Sequence, residues 1–304
     1  MLTPALQFAV SLIFVYLLLS ALSSAIQETI ANLAKWRANT LETGISNLLQ
    51  DPALKNSIYD HALVKGIWRP SWLFKKVQTM HKPAYISSTM FAQVLQDLRS
   101  TPTTNISPEA QKVLAAVLKG ATSAEEERKK IETWFDDSMD AVSGWYKRKA
   151  HAWLWVISFV ICISLNADTI SIGKVLWNDP TARDAVSDAA KQYVKDNASS
   201  QDSATTQQTV AGARTDLSQV VKARNQLSEI PVPLGWCKAG ADQCAEGRQW
   251  PLGKDWSDWL LKLLGILITV SAVSQGAPFW FDLLQKVVNL RLAGDIPPDS
   301  RTKN

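Results

Sequence analysis

The stretch ALQFAVSLIFVYLLLSALSSAI, residues 5–26, decides the fold class of this chain because it carries no charged side chain. At about 1.5 Å per residue, a helix of this length spans a hydrocarbon core of about 30 Å. A cleaved signal peptide is the alternative, since small residues stand near its end. However, the leading MLTPALQ has no positive side chain, whereas Lys35 and Arg37 follow the run, the reverse of a signal peptide's polarity. We therefore predict an uncleaved transmembrane helix.

Two further apolar runs have a similar length. They are AWLWVISFVICISLNADTISI at 152–172 and WLLKLLGILITVSAVSQGAPFWF at 259–281. The chain as a whole is 46% hydrophobic and contains 13 Trp, a residue that favours membrane interfaces. These features predict an all-α membrane protein with three transmembrane helices.

The distribution of basic residues predicts the orientation of these spans. Basic residues flank the first loop and follow the third span: Lys35, Arg37, Lys147, Arg148, Lys149, Lys286 and Arg291. The second loop, 173–258, carries ten basic and eleven acidic residues and has no such excess. By the positive-inside rule, the N-terminus is periplasmic and the C-terminus cytoplasmic. The net charge of +4 follows from these inner flanks, so no nucleic-acid partner is expected.

The segments between the spans differ in character. Residues 27–151 contain several helical apolar periods and predict a helical cytoplasmic domain that leads directly into the second span. Residues 173–258 predict a smaller periplasmic segment of helices and loops, with a weakly ordered linker near 197–213. Residues 282–304 predict a cytoplasmic amphipathic helix and tail.

Polar residues inside the apolar runs are the strongest site candidates. Asp168 and Asn166 lie near the outer end of the second span, and Lys262 lies near the outer start of the third. Their depths match, and an isolated charge in lipid costs a few kcal/mol, so we expect Asp168 and Lys262 to pair or to reach the interface by snorkelling. A structural clasp is the favoured interpretation, with Asn166 adding a hydrogen bond. An ion or proton site is the alternative.

The third span also carries a strip of small residues: Gly265, Thr269, Ala272 and Gly276. Such a strip lets another helix approach closely, either within the chain or from a second copy. Pro278 removes a backbone donor and is predicted to kink or end the helix. We expect a short amphipathic helix after it.

The cysteines divide into two environments. Cys162 lies inside the second span, where a buried apolar role is expected. Cys237 and Cys244 lie in the predicted periplasmic loop, where an oxidising compartment favours a disulfide between them. Neither their spacing nor the scattered histidines indicate a zinc site: His61, His81 and His151.

The best candidate for enzymatic chemistry is WFDDSMD, since Asp136, Asp137 and Asp140 have a spacing that could hold Mg²⁺ on a diphosphate. A prenyl-transfer site would need a second acidic cluster on a facing helix. The other acidic run, at Glu125 to Glu127, lies on the same predicted helix. A solvated acidic face is therefore favoured, and we predict neither catalysis nor a cofactor.

Three stretches resemble a family of uncharacterised bacterial inner-membrane proteins: WFDDSMDAVSGWYKRK, SLNADTISIGKVLW and SQGAPFWFDLLQKVVNLR. The resemblance covers the second and third spans, their inner flanks and the start of the first span. It implies a three-span bacterial membrane protein. It implies no activity and transfers no catalytic residue.

Two functional classes fit these features. The first is a homo-oligomeric membrane scaffold or anchor whose helical domain engages a cytoplasmic protein. The second is an oligomeric channel or conduit, for example in defence or stress signalling. The channel is disfavoured because the middle of each span is apolar, although an apolar constriction can itself gate.

Overall fold

The computed structural model describes residues 3–67, 69–70, 80–101, 106–198, 212–238, 249–250 and 256–292. Helices dominate these ranges, which confirms the all-α class. They are α1 Pro4–Leu33, α2 Trp36–Leu49, α3 Pro52–Asp60, α4 Ala62–Lys65, α5 Ser88–Ser100, α6 Pro108–Leu118, α7 Ala124–Ser164, α8 Thr169–Asn178, α9 Pro180–Ala198, α10 Gly212–Glu229, α11 Trp256–Val273 and α12 Ala277–Leu292. Two pairs of two-residue strands add little: β1 Arg69–Pro70 antiparallel to β2 Met80–His81, and β3 Cys237–Lys238 parallel to β4 Gln249–Trp250.

The chain divides into two compact units. The helical domain comprises residues 31–149, and the bundle unit comprises residues 1–30 and 150–304. α1 and α7 each contribute residues to both units.

α1 lies at the centre of the bundle unit. Every residue from Phe14 to Ser20 is buried, and a helix buried on all sides needs neighbours all round. The buried apolar cluster that contains most of these residues also includes side chains from six other helices: Ile157, Ile161 and Cys162 of α7, Ile172 and Leu176 of α8, Val186 and Ala190 of α9, Ala223 and Leu227 of α10, Ile266 and Val270 of α11, and Leu284 of α12. The uncharged apolar stretch 5–26 therefore lies in the core of this unit.

The structure breaks the helix predicted over 152–172. α7 ends at Ser164, and α8 begins at Thr169 with a bend of 56°. Asn166 takes the left-handed conformation (φ 49°), and the Ala167 amide donates to the Cys162 carbonyl at 2.8 Å. These are the features of a Schellman helix end, in which Asn is one of the few residues that tolerate the left-handed position.

The helix predicted over 259–281 is also broken. α11 ends at Val273, and α12 begins at Ala277 with a bend of 87°. The turn uses Gly276 at φ 87°, a conformation that only glycine adopts without strain. Pro278 follows in the first turn of α12, where its missing amide hydrogen costs nothing. The turn itself therefore depends on Gly276, two residues before Pro278.

One helix in the described part of the chain, α1, is long and apolar enough to cross a membrane. The number rises to three if each bent pair, α7 with α8 and α11 with α12, forms one span. α8 and α9 are separate helices, because Asp179 caps α9 and Pro180 is its first residue. Most of the linker predicted near 197–213 lies outside the described residues.

The helical domain has its own apolar core. Phe91 of α5 stacks on Phe135 of α7 with ring centroids 4.3 Å apart, and Ile45, Leu54 and Ile58 are fully buried around the same cluster. Asp51 connects two helices beside this core. Its Oδ1 accepts from the amides of Ala53 and Leu54 at the start of α3, and its Oδ2 accepts from the Ser107 amide before α6 at 2.7 Å.

Replacing Asp51 with alanine is expected to destabilise the helical domain by about 2 kcal/mol. The change removes the α3 cap and leaves the Ser107 amide without its partner. Hydrogen exchange of the full-length protein in detergent should show faster exchange in peptides from α3 and α6. Asp51→Asn is the matched control, because it retains the acceptor for the cap and loses only the bond to Ser107. Wild-type protection in Asp51→Ala would contradict this role.

The helical domain is expected to lose stability in acid. Burial raises the pKa of Asp51, but hydrogen bonds from Ser107, Leu54 and Ala53 outweigh it and leave the pKa below its ordinary value. The hydrogen bond from Lys82 likewise lowers the pKa of Glu42. A lowered folded-state pKa gives stability that is present above the unfolded value, about 4, and lost as the pH falls through the folded value. Unfolding of the helical domain in urea can be followed by hydrogen exchange of the α3 and α6 peptides. The urea midpoint should be constant from pH 7 to 5 and fall below pH 4. A midpoint that does not change with pH would contradict the role assigned to Asp51 and Glu42.

Candidate functional site

The sequence candidates Asp168, Asn166 and Lys262 meet at the break between α7 and α8. Asp168 is the N-cap of α8, and its Oδ1 accepts from the Ile170 amide at 2.9 Å. Its Oδ2 accepts from Ser171 Oγ at 2.8 Å and from Lys262 Nζ at 3.2 Å. A short polar residue after a helix end, followed by Thr, is typical of a new helix start. The carboxylate therefore starts α8 and also binds α11.

The ion pair is buried. Asp168 is 3% exposed and Lys262 is 6% exposed. Lys262 Nζ also lies 5.6 Å from the centroid of the Trp236 ring, within the range of a cation–π contact. Because removing two charges from water is costly, such a pair adds little net stability. Loss of either partner, however, leaves the other charge buried without a counter-ion. The structure brings together the two residues whose matching depths were noted in the sequence.

Asn166 connects the site to the segment that precedes β3. Its Nδ2 donates to the Gly235 carbonyl at 3.2 Å, and the Gly235 amide donates to the Leu165 carbonyl at 2.6 Å. Trp236 Nε1 donates to the Ile163 carbonyl at 2.8 Å. The segment before β3 thus supplies a donor to the Leu165 carbonyl and a second donor to the Ile163 carbonyl, which also accepts from the Asn166 amide. No pattern in the sequence indicates this contact of Trp236.

A row of hydroxyl groups ties the site to α1. Tyr16 Oη is hydrogen bonded to Thr169 Oγ1 at 2.9 Å, and Thr169 Oγ1 to Thr269 Oγ1 at 2.8 Å. The Thr169 amide also donates to Thr269 Oγ1 at 3.0 Å. Sequence reasoning missed Tyr16 and Thr169. Their only signal is that hydroxyl side chains in apolar helices commonly bond to a neighbouring helix.

The strip of small residues on α11 packs within this chain. A Cβ atom built on Gly265 would clash with the carboxylate of Asp168, so α11 approaches the break closely only because glycine stands there. Thr269 faces Thr169, and the Ala272 carbonyl accepts from Trp280 Nε1 of α12 at 2.7 Å. Gly276 forms the turn before α12. The strip is thus occupied by the chain itself.

These contacts favour a structural clasp. Both oxygens of Asp168 accept hydrogen bonds, and the charge of Lys262 is matched by that of Asp168. In the part of the chain that the structure describes, Asn166 Oδ1 is the one buried atom of this cluster without a hydrogen-bond partner. The ion or proton alternative stays a prediction.

The remaining sequence candidates lie elsewhere. Asp136, Asp137 and Asp140 are exposed on α7, and the described ranges contain no group of three His, Cys, Asp or Glu side chains placed to hold a metal ion. Cys162 is buried in the bundle unit. Cys237 begins β3, but Cys244 lies outside the described residues, so their disulfide stays a prediction.

No family model, curated protein or solved structure matches this chain.

Proposed function

We propose that this protein is an integral membrane scaffold of the bacterial inner membrane, in which α1 and the two bent helix pairs form three spans. The observation that carries the proposal is the outer surface of the bundle unit. Large apolar side chains on α7 and α11 are exposed: Trp153, Trp155, Val156, Phe159, Val160, Ile163, Trp259, Leu260, Leu261, Leu263, Leu264, Leu267 and Ile268. On α11 those from Trp259 to Ile268 are 41% to 55% exposed. Contiguous apolar surface of this kind is rare in soluble monomers and suits contact with lipid.

The height of this surface suits a bilayer. Gln27 Nε2 donates to the Ala150 carbonyl, and Ser20 Oγ donates to the Val273 carbonyl, which fixes α7 and α11 against α1. We count residues along each helix from these two contacts. The exposed residues of α7 then lie beside the second half of the apolar run 5–26 of α1, and those of α11 lie beside its first half. Together they cover about 27 Å at 1.5 Å per residue, close to the hydrocarbon thickness of about 30 Å.

Tryptophans stand at both ends of this apolar surface. Trp153 and Trp155 are exposed near one end, and Trp256 and Trp259 near the other. Their amphipathic rings suit the two headgroup regions. In this layout the N-terminus is periplasmic, the C-terminus is cytoplasmic and the helical domain binds a cytoplasmic protein. A disulfide between Cys237 and Cys244 would then form in the periplasm.

The scaffold is proposed to be a homo-oligomer. Because Gly265 and Thr269 pack within the chain, copies would meet through other parts of the exposed surface. Native mass spectrometry of the complex in mild detergent, with and without reducing agent, tests this point. We expect a single multiple of the chain mass that persists in reducing agent; a monomer would contradict the homo-oligomer.

An oligomeric conduit is the second candidate. The observation that favours it is a charged helix, α9, packed beside the middle of α1.

A further inference from the structure

α9 packs one face against the central helix. Val186, Ala190 and Val194 are buried in the bundle core. Ser11 Oγ of α1 donates to the Arg183 carbonyl at 3.0 Å, and the Phe14 ring lies 5.6 Å from the Tyr193 ring. α9 therefore meets α1 at the level of Ser11 and Phe14.

This position is deep in the apolar run. The midpoint of residues 5–26 falls between Val15 and Tyr16, so Phe14 is about 2 Å and Ser11 about 7 Å from it along the helix. α12 reaches the same level, since the Trp280 ring contacts the Tyr16 ring with centroids 4.9 Å apart. If α1 spans the bilayer, as the proposed function requires, α9 stands at the depth of the hydrocarbon core.

The outward face of α9 is charged at that depth. Asp184, Asp188, Gln192, Lys195 and Asp196 are exposed, and Lys191 is half-buried and forms an ion pair with Asp188. A charge in lipid costs a few kcal/mol on insertion scales and more in isolated helices. At this level of α1, the exposed surface of α11 is therefore apolar, whereas the exposed face of α9 is charged.

We propose that the outward face of α9 borders a water-filled space between copies of this chain, at bilayer depth. The proposal rests on the proposed function, because the depth of α9 is counted along α1. The apolar faces of α7 and α11 then contact lipid, and the charged faces of α9 surround the space. The face carries both acidic and basic side chains, Asp184, Asp188, Asp196, Lys191 and Lys195, which suit contact with water.

Two other arrangements would also keep charge out of lipid. The bundle unit could rest on one leaflet with α9 in bulk water, or the α9 face could be covered by protein. The covered arrangement differs from the proposal at Asp188, which protein would shield from water. The one-leaflet arrangement differs at Ile268, which would lie near the headgroups and not at the centre of the bilayer. Ile268 is an exposed residue of α11. It is next to Thr269, which is hydrogen bonded to Thr169, and Thr169 is hydrogen bonded to Tyr16. These bonds place Ile268 at the level of Tyr16 along α1.

The test uses spin labels on the full-length protein in lipid vesicles. The native cysteines are replaced (Cys162→Ala, Cys237→Ser, Cys244→Ser), and a label is attached to Asp188→Cys or to Ile268→Cys. Collisions with oxygen report lipid around the label, and collisions with a water-soluble nickel chelate report water. The cysteine-free chain measures background labelling.

We expect the label at Ile268→Cys to be reached by oxygen and not by nickel, and the label at Asp188→Cys to be reached by nickel at least tenfold more often. If Ile268→Cys is in lipid but Asp188→Cys is shielded from nickel, the water-filled space is overturned and the membrane scaffold stands. If nickel reaches both labels, no bilayer surrounds that level of α1. The proposed span then fails together with this inference.

Discussion

Replacing Asp168 with alanine is expected to destabilise the bundle unit by about 3–5 kcal/mol, because it leaves the buried Lys262 ammonium without its counter-ion. The change also removes the cap from the Ile170 amide and the acceptor from Ser171 Oγ. The pair joins α8 to α11, so its loss should loosen the contact between them. Unfolding in mild detergent with increasing SDS, followed by tryptophan fluorescence, gives the free-energy difference.

A double variant separates the ion pair from the other contacts of Asp168. Lys262→Met alone should also be strongly destabilising, because it strands the carboxylate. Asp168→Asn with Lys262→Met removes both charges and keeps an acceptor for the α8 cap, so it should be more stable than either single variant. The clasp is wrong if the destabilising effects of Asp168→Asn and Lys262→Met simply add in the double variant, or if Asp168→Asn alone is as stable as the wild type.

Gly265→Ala is expected to cost about 3 kcal/mol or more, although alanine is the better helix former. The added methyl group would occupy the position of the Asp168 carboxylate, so α11 must move away or the ion pair must break. Overpacking of a tight contact typically costs 1–3 kcal/mol, and the disturbed pair adds to this. The same SDS titration measures the effect.

Gly173→Ala is the matched control. Gly173 also lies within a helix of the bundle unit, and a Cβ atom there would meet Phe8 Cζ at an ordinary distance of 3.8 Å. It should be neutral or stabilise the chain by up to about 1 kcal/mol, the helix-propensity gain. Equal effects of the two substitutions would refute the close approach at Gly265.

The sequence predicted the helical class and the pairing of Asp168 with Lys262, because both follow from local patterns and from the cost of a charge in an apolar run. It did not predict the first break, and it placed the second at Pro278, two residues after the glycine that forms the turn. Asn166 tolerates a left-handed turn and Asp168 is a good cap, but an apolar period that continues across them outweighs such short signals. At the second break, the prediction relied on Pro278, whereas the turn is formed by Gly276, which adopts the positive φ.

The hydrogen bonds around the site were beyond sequence reasoning. Tyr16, Thr169 and Thr269 come from three distant parts of the chain, and Gly235 bonds to Asn166 through its backbone, which leaves no trace in residue type. The position of α9 was missed for a related reason. Its charges predict an exposed face, but only the contacts of Ser11 and Phe14 place that face beside the middle of α1.

The central claim is that the apolar surface of the bundle unit is embedded in lipid. Alkaline carbonate extraction of membranes that contain the full-length chain tests it most directly, because carbonate strips peripheral proteins and leaves those held by buried apolar surface. We expect the protein to remain in the membrane pellet and to dissolve only with detergent. Release into the supernatant by carbonate alone would contradict the account.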